Sequence, residues 1–177
     1  DSVLATINKI KYDTTESRGK ILDKYTDALQ EYYGKILQKS TDLKTNACCT
    51  SIKYPKHILN AIKNIHDDIM SSYYGCGLTI PDCLDNCKVM DLGCGTGRDV
   101  YLLSQFVGEK GLVLGIDMTD EQINKAKQYK DFHANKNNYA ESNVNFCQGY
   151  IEDIDGALST EGENDNLCDV IVSNCVI

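Results

Sequence analysis

The residues best placed to do chemistry lie in Asp91-Leu92-Gly93-Cys94-Gly95-Thr96-Gly97, directly after the short apolar run Val89-Met90. Glycine removes the Cβ atoms that would keep a ligand away from the backbone and permits positive φ in a tight turn. The helical pattern that follows offers unpaired N–H groups and a partial positive charge at its start. The spacing Gly-x-Gly-x-Gly differs from the Gly-x-Gly-x-x-Gly of dinucleotide loops, and an acid sits just before it. A pyrophosphate gains nothing from Asp91, whereas an ammonium group does. A second acid, Asp117, follows Gly97 by about 20 residues, where a carboxylate can accept bonds from both hydroxyls of a ribose. The chemistry spelled here is the holding of a nucleotide-type cofactor.

Nine cysteines form a second set. Cys94, Cys147 and Cys168 sit within apolar patterns, where the thiol behaves as a small buried hydrophobe. Cys76, between Gly75 and Gly77, and Cys175, after Ser173-Asn174, fall in loops, as does Cys48 within the polar stretch 40–54. Cys83 and Cys87 lack the paired short spacings and fourth ligand of structural zinc. His57 and His66 fit a helix surface.

Elements must bring these residues together. Residues 1–40 have helical periodicity, with Ile21, Leu22, Tyr25, Leu29, Tyr32, Tyr33, Ile36 and Leu37 on one apolar face, as in a packing helix. Pro55 opens a second helix running through His57 to Met70. From Lys88 the pattern alternates: strand 88–92, helix 98–107, strand 112–116, helix 120–135, strand 144–148, a solvated acidic connection over 152–166, and strand 169–173. Thr119 is the expected N-cap of the 120–135 helix, with Gln122 at the capping-box position. Strands separated by helical segments predict a parallel sheet with right-handed crossovers. Ligands of such sheets lie at the carboxyl ends of the strands, the end to which Cys175 belongs.

With 177 residues and 42% hydrophobic content, the chain can bury a substantial core. A net charge of -8 excludes the basic surface that nucleic acid or an anionic membrane would need. No apolar run approaches the roughly 18 residues of a membrane span, and no basic-then-apolar leader opens the sequence. The expectation is a soluble, cytoplasmic protein with its thiols reduced.

Five segments together carry a resemblance. Leu43-Lys44-Thr45-Asn46-Ala47-Cys48, Tyr73-Tyr74-Gly75-Cys76-Gly77-Leu78-Thr79-Ile80-Pro81, Asp91 to Asp99, Gly115-Ile116-Asp117-Met118-Thr119 and Ser173-Asn174-Cys175-Val176-Ile177 resemble, in that order, the arsenite S-adenosylmethionine methyltransferases over about residues 30–177. The resemblance implies a class I (Rossmann-like) methyltransferase fold, α/β, with helices on both faces of a mostly parallel sheet. An N-terminal helical arm and cysteine loop (1–75) would lead into a cofactor-binding core (76–177) whose sheet is incomplete, as in the front part of a longer protein. It implies methyl transfer from S-adenosylmethionine, leaving S-adenosylhomocysteine, to arsenite or thiol-conjugated arsenite, in arsenic biotransformation and detoxification. A thiol reductant of glutathione or thioredoxin type would take part.

Carried onto this chain, Cys76 and Cys175 become arsenic(III) ligands and Cys48 a partner in thiol–disulfide exchange. A further arsenic-binding cysteine of the family falls beyond the fourth strand. Tyr74, Asp91, Gly93, Cys94, Gly95, Gly97, Asp117, Met118, Gly149, Tyr150, Ile151 and Asn174 become cofactor-binding residues. The chemistry agrees, because trivalent arsenic is soft and favours thiolate sulfur. Methyl transfer to another small molecule, or thiol-based metalloid binding without turnover, are the other readings.

Overall fold

In the computed structural model, which describes residues 26–36, 54–75, 77–160 and 168–174, four strands make one fully parallel sheet. They are β1 (Lys88–Leu92), β2 (Leu112–Asp117), β3 (Val144–Gln148) and β4 (Val170–Ser173), in the spatial order β3-β2-β1-β4. The period-2 alternation of the strands sorts their side chains onto two faces. Val89, Val113, Val144, Phe146 and Val172 point to one face. Met90, Leu92, Leu114, Ile116 and Cys147 point to the other.

The first face is covered by α1 (Lys56–Ile62), α2 (Asp67–Ser71), α3 (Arg98–Val107) and α4 (Asp120–Lys127), through Ala61, Ile69, Leu103 and Ile123 among others. The second receives α6 (Ile154–Thr160), which buries Ala157 and Leu158. The boundary expected at 75/76 therefore separates two stretches that share one core. A fifth helix, α5 (Lys130–Lys136), follows α4, and residues 26–31 are helical and continue into a π-helical turn, Tyr32–Ile36.

Four expectations need correction. The single helix expected from His57 to Met70 is two. His66 leaves the helical conformation (ψ 140), and its Nδ1 accepts from the Asp68 N–H as the N-cap of α2. The 120–135 helix is two, interrupted at Gln128-Tyr129, where the Ala126 carbonyl accepts from both the Tyr129 N–H and the buried Tyr101 hydroxyl. The acidic 152–166 stretch, expected to be a solvated connection, contains α6, whose Ala157-Leu158 pair is too short an apolar signal to show periodicity. The capping box at Thr119 does not form. Asp117 Oδ1 accepts the Thr119 N–H at 2.8 Å, the group that Gln122 would have served, and the Gln122 side chain donates instead to the Tyr33 carbonyl.

Candidate functional site

The glycine loop is built by its contacts with β2. The N–H groups of Gly93 and Cys94 both donate to the Ile116 carbonyl, at 2.8 and 3.0 Å, and Gly97 N–H closes a turn onto the Cys94 carbonyl. Gly97 itself, at φ 83, is the N-cap position of α3, and a Cβ there would lie 2.7 Å from the Phe146 ring. Glycine is required at this point for the close seating of helix on strand.

Above the loop lies a cleft of about 370 Å³ at the carboxyl ends of the strands, where the order reverses around β1. The loop contributes Gly93, Cys94, Gly95 and Thr96. Asp117, Met118 and Thr119 follow β2, Gly149 to Glu152 follow β3, and Asn174 follows β4. Ser72 to Gly75 close one side, and Thr26, Leu29 and Tyr33 of the N-terminal arm close another. Gln30 holds the arm in place by donating to the Met118 carbonyl (2.9 Å) and to the Tyr150 hydroxyl oxygen (3.1 Å). Of the apolar face expected of a packing helix, Leu29 and Tyr33 line the cleft. Leu29 is 37% and Ile36 49% exposed.

Electrostatics single out Asp91. It is 2% exposed, lines the cleft, and its Oδ1 has no hydrogen-bond partner among the described residues. Burial first, then the neighbouring carboxylates of Asp99 and Asp117, push its pKa up to about 8. An unsatisfied carboxylate oxygen facing a cleft is the environment that a cationic group would relieve. Burial also raises the pKa of Asp117, against the lowering effect of the N–H groups of Thr119 and Gly95, each 2.8 Å from a different oxygen. An ionised carboxylate has about four acceptor sites, so both oxygens keep capacity for a hydroxyl. The Cys94 thiol is driven well above its ordinary pKa by burial and then by Asp117, which keeps it protonated and inert.

Eleven of the twelve residues expected to bind a cofactor line this one cleft; the other, Gly97, stands behind it as the packing glycine just described. Cys48, Cys76 and Cys175 lie outside the described residues. The sequence pattern assigns no ligand role to Thr26, Leu29 and Tyr33, whose arm has the spacing of a packing helix, or to Arg98 and Asp99, which also line the cleft. Asp99 in the first turn of an amphipathic helix reads as an ordinary N-terminal acid, and only the fold shows it buried beside Asp91.

Comparison with known proteins agrees with this architecture. Residues 84–177 match a family described as "Methyltransferase domain". The human arsenite methyltransferase is 50% identical over 150 residues, 84% of this chain and 39% of that protein. The arsenite methyltransferase of Aquipseudomonas alcaligenes is 48% identical over 151 residues, 85% of this chain and 42% of that protein. The chain thus spans about two fifths of the length of these curated relatives. A crystal structure of an arsenic (III) S-adenosylmethionine methyltransferase from Chlamydomonas reinhardtii superposes with a TM-score of 0.64 at 37% identity, covering 70% of this chain and 40% of that one.

Proposed function

Because the chain belongs to the methyltransferase domain family, we propose that it transfers the methyl group of S-adenosylmethionine to trivalent arsenic bound by cysteine thiolates. The observation that carries this reading is the buried carboxylate of Asp91, whose Oδ1 has no partner among the described residues, lining a cleft that Asp117 and the glycine loop complete. Relatives about 50% identical over this stretch are arsenite methyltransferases, which supports arsenic as the acceptor.

The residues present fit the cofactor. Asp91 holds the methionine ammonium, Asp117 accepts from the ribose hydroxyls, and Met118 with the Gly149-Tyr150-Ile151 segment bounds the base. When bound, the cofactor supplies an electrophilic sulfonium methyl. Among the described lining residues, Asp99, Asp117 and Glu152 oppose one guanidinium, that of Arg98, and Asp91 adds its charge when a cation meets it, so the cleft is suited to a cation. Tyr74 and the Tyr73 ring face the same space, and an aromatic face near a sulfonium contributes about 0.5–2 kcal/mol.

Cys76 and Cys175 hold the arsenic as thiolates, releasing their protons on binding rather than during transfer. The arsenic lone pair is then the nucleophile, and no side chain is needed as general base. Alignment of arsenic with the methyl group supplies up to roughly 7–11 kcal/mol of the barrier. Donation of the lone pair to the methyl group leaves arsenic formally pentavalent; two protein thiols return two electrons to it by forming a disulfide, Cys48 exchanges with Cys76 in that chemistry, and a thiol reductant of glutathione or thioredoxin type reduces the disulfide. The setting is cytoplasmic arsenic detoxification. No helix among the described residues is long and apolar enough to cross a membrane.

Incubating the protein with arsenite, a thiol reductant and S-adenosylmethionine tests the proposal, with methylated arsenic species read by mass spectrometry. Methylated arsenic that disappears in Cys175→Ser supports it. Cofactor binding without any methylated arsenic points to another small-molecule acceptor. Arsenite binding without turnover points to a metalloid-binding module.

A further inference from the structure

Cys83 and Cys87 belong to one surface turn, at the opposite end of the sheet from the cleft, that the transfer chemistry above leaves unused. Neither is in a disulfide; Cys83 is exposed, and Cys87 is half-buried against the edge of the core. The Cys87 thiol donates back across the turn to the Cys83 carbonyl oxygen, 3.8 Å away. Three main-chain bonds hold the turn. The Cys87 N–H donates to the Leu84 carbonyl (2.9 Å), the Asn86 N–H to the Val107 carbonyl at the end of α3 (2.8 Å), and the Leu112 N–H of β2 to the Cys87 carbonyl (3.1 Å). Leu84, 4% exposed, plugs the turn into the core. Cys83 and Asn86 both stand at φ 60. Asparagine tolerates that left-handed conformation in a turn, whereas cysteine adopts it rarely.

These constraints leave two thiols on one short loop whose backbone is already ordered. Bringing both sulfurs to one atom therefore draws on side-chain rotation, chiefly at the exposed Cys83, and little ordering entropy is lost. Structural zinc does not suit the pair, because no third ligand joins them among the described residues. A monosubstituted trivalent arsenical asks for two sulfurs only. Its softness favours thiolates over the carboxylates of Asp82 and Asp85, the acids of the same loop. Cys87 stands before β1 and Gly93 after it, so the length of the strand, about 20 Å, separates this turn from the glycine loop. An arsenical held here is beyond the reach of a methyl group presented in the cleft.

We propose that Cys83 and Cys87 form a separate surface site that captures a trivalent arsenical as a dithiolate, remote from the cleft. Capture forms two As–S bonds, while the two thiol protons and the oxygen of the arsenical leave as water. The oxidation state of arsenic is unchanged, and no oxidant or reductant takes part. This binding is independent of methyl transfer.

Phenylarsine oxide tests it on the reduced, folded 177-residue chain. Once the arsenical has bound, the remaining thiols are alkylated. A small dithiol then strips off the arsenic, and an isotopically heavy alkylating reagent marks the thiols it had covered. Peptide mapping should find Cys83 and Cys87 marked together, about tenfold or more above a sample without arsenical, because the second As–S bond closes within one loop. Cys87→Ser should return Cys83 to the background, and Cys83→Ser should do the same for Cys87. The reciprocal variants keep the test decisive if one of them does not fold. Marking of Cys83 that persists in Cys87→Ser, or of Cys87 in Cys83→Ser, pairs that thiol with a different cysteine and overturns the proposal. Background marking at both positions in the parent chain overturns it as well.

Discussion

Asp91→Asn should move stability and cofactor affinity in opposite directions. In the empty protein the Asp91 carboxyl titrates near pH 8 because burial, Asp99 and Asp117 all oppose its charge. In the unfolded chain an aspartate titrates near 3.9. A carboxyl whose folded pKa is raised stabilises the fold fully below about pH 4, and that contribution is lost as pH rises towards 8. At about 1.36 kcal/mol per pH unit, the ionisable side chain costs the empty protein about 4 kcal/mol by pH 7. Asparagine has no such dependence. Asp91→Asn should therefore raise the melting temperature by about 10 °C at pH 7 and by little at pH 4.

Binding runs the other way. If Asp91 receives the ammonium of the cofactor, it must bind as the carboxylate, so binding below pH 8 releases a proton. Affinity should then climb close to tenfold per pH unit, or roughly fifty- to hundredfold between pH 6 and 8. Titration calorimetry with S-adenosylhomocysteine, in two buffers of different ionisation enthalpy, counts that proton. About one proton released at pH 7, together with lost binding in Asp91→Asn, is the expected outcome. Affinity that is flat with pH and no proton release would show that Asp91 does not meet a cation, and the cofactor orientation would have to be abandoned.

Asp117→Ala removes two charge-assisted acceptors, each worth about 1.5–3 kcal/mol, and should weaken S-adenosylhomocysteine binding by at least about a hundredfold in the same titration; an unchanged affinity refutes the ribose assignment. His133 is 3% exposed and stacked on Tyr101 at 3.7 Å between centroids, and burial holds its pKa down to about 4. A base with a depressed folded pKa supports the fold above about pH 6.5 and loses that support as pH falls towards 4, by about 3 kcal/mol at most. On going from pH 7 to 4.5 the loss at His133 opposes the gain at Asp91, so the urea midpoint of His133→Gln should rise relative to that of the parent; a difference between the two that does not change with pH refutes the assignment. Gly97→Ala combines positive φ with overlap onto Phe146 and should lose about 2–4 kcal/mol in chemical denaturation.

The parallel sheet and the floor of the cleft were legible because each strand and the glycine loop carry their signals within a few consecutive residues. Lys88–Leu92, Val144–Gln148 and Arg98–Val107 fall where alternation and periodicity place them. The misplaced boundaries share a different cause. At His66, Tyr129 and Thr119 a side chain distant in sequence, or a nearby carboxylate, takes a backbone group that local pattern assigns to the helix. The same holds for the arm. Leu29 and Tyr33 have the spacing of core residues, and periodicity cannot distinguish a face turned to a protein core from one turned to a cleft.

That arm has a kinetic consequence. The wall formed by Thr26, Leu29 and Tyr33 is anchored through amide contacts of Gln30 and Gln122, with no buried residue in its π-helical turn, whereas Asp91 and the glycine loop are set into the central strands. Net hydrogen-bond contributions of about 0.5–1.5 kcal/mol separate open from closed far less than global unfolding does. Amide hydrogens over 26–36 should accordingly exchange well before those of β1 and β2, and slow down when S-adenosylhomocysteine is present. Protection equal to that of the strands would mean the wall is fixed. A wall that loosens on its own makes the residence time of the spent nucleoside a property of the arm, set independently of the grip exerted by the floor beneath it.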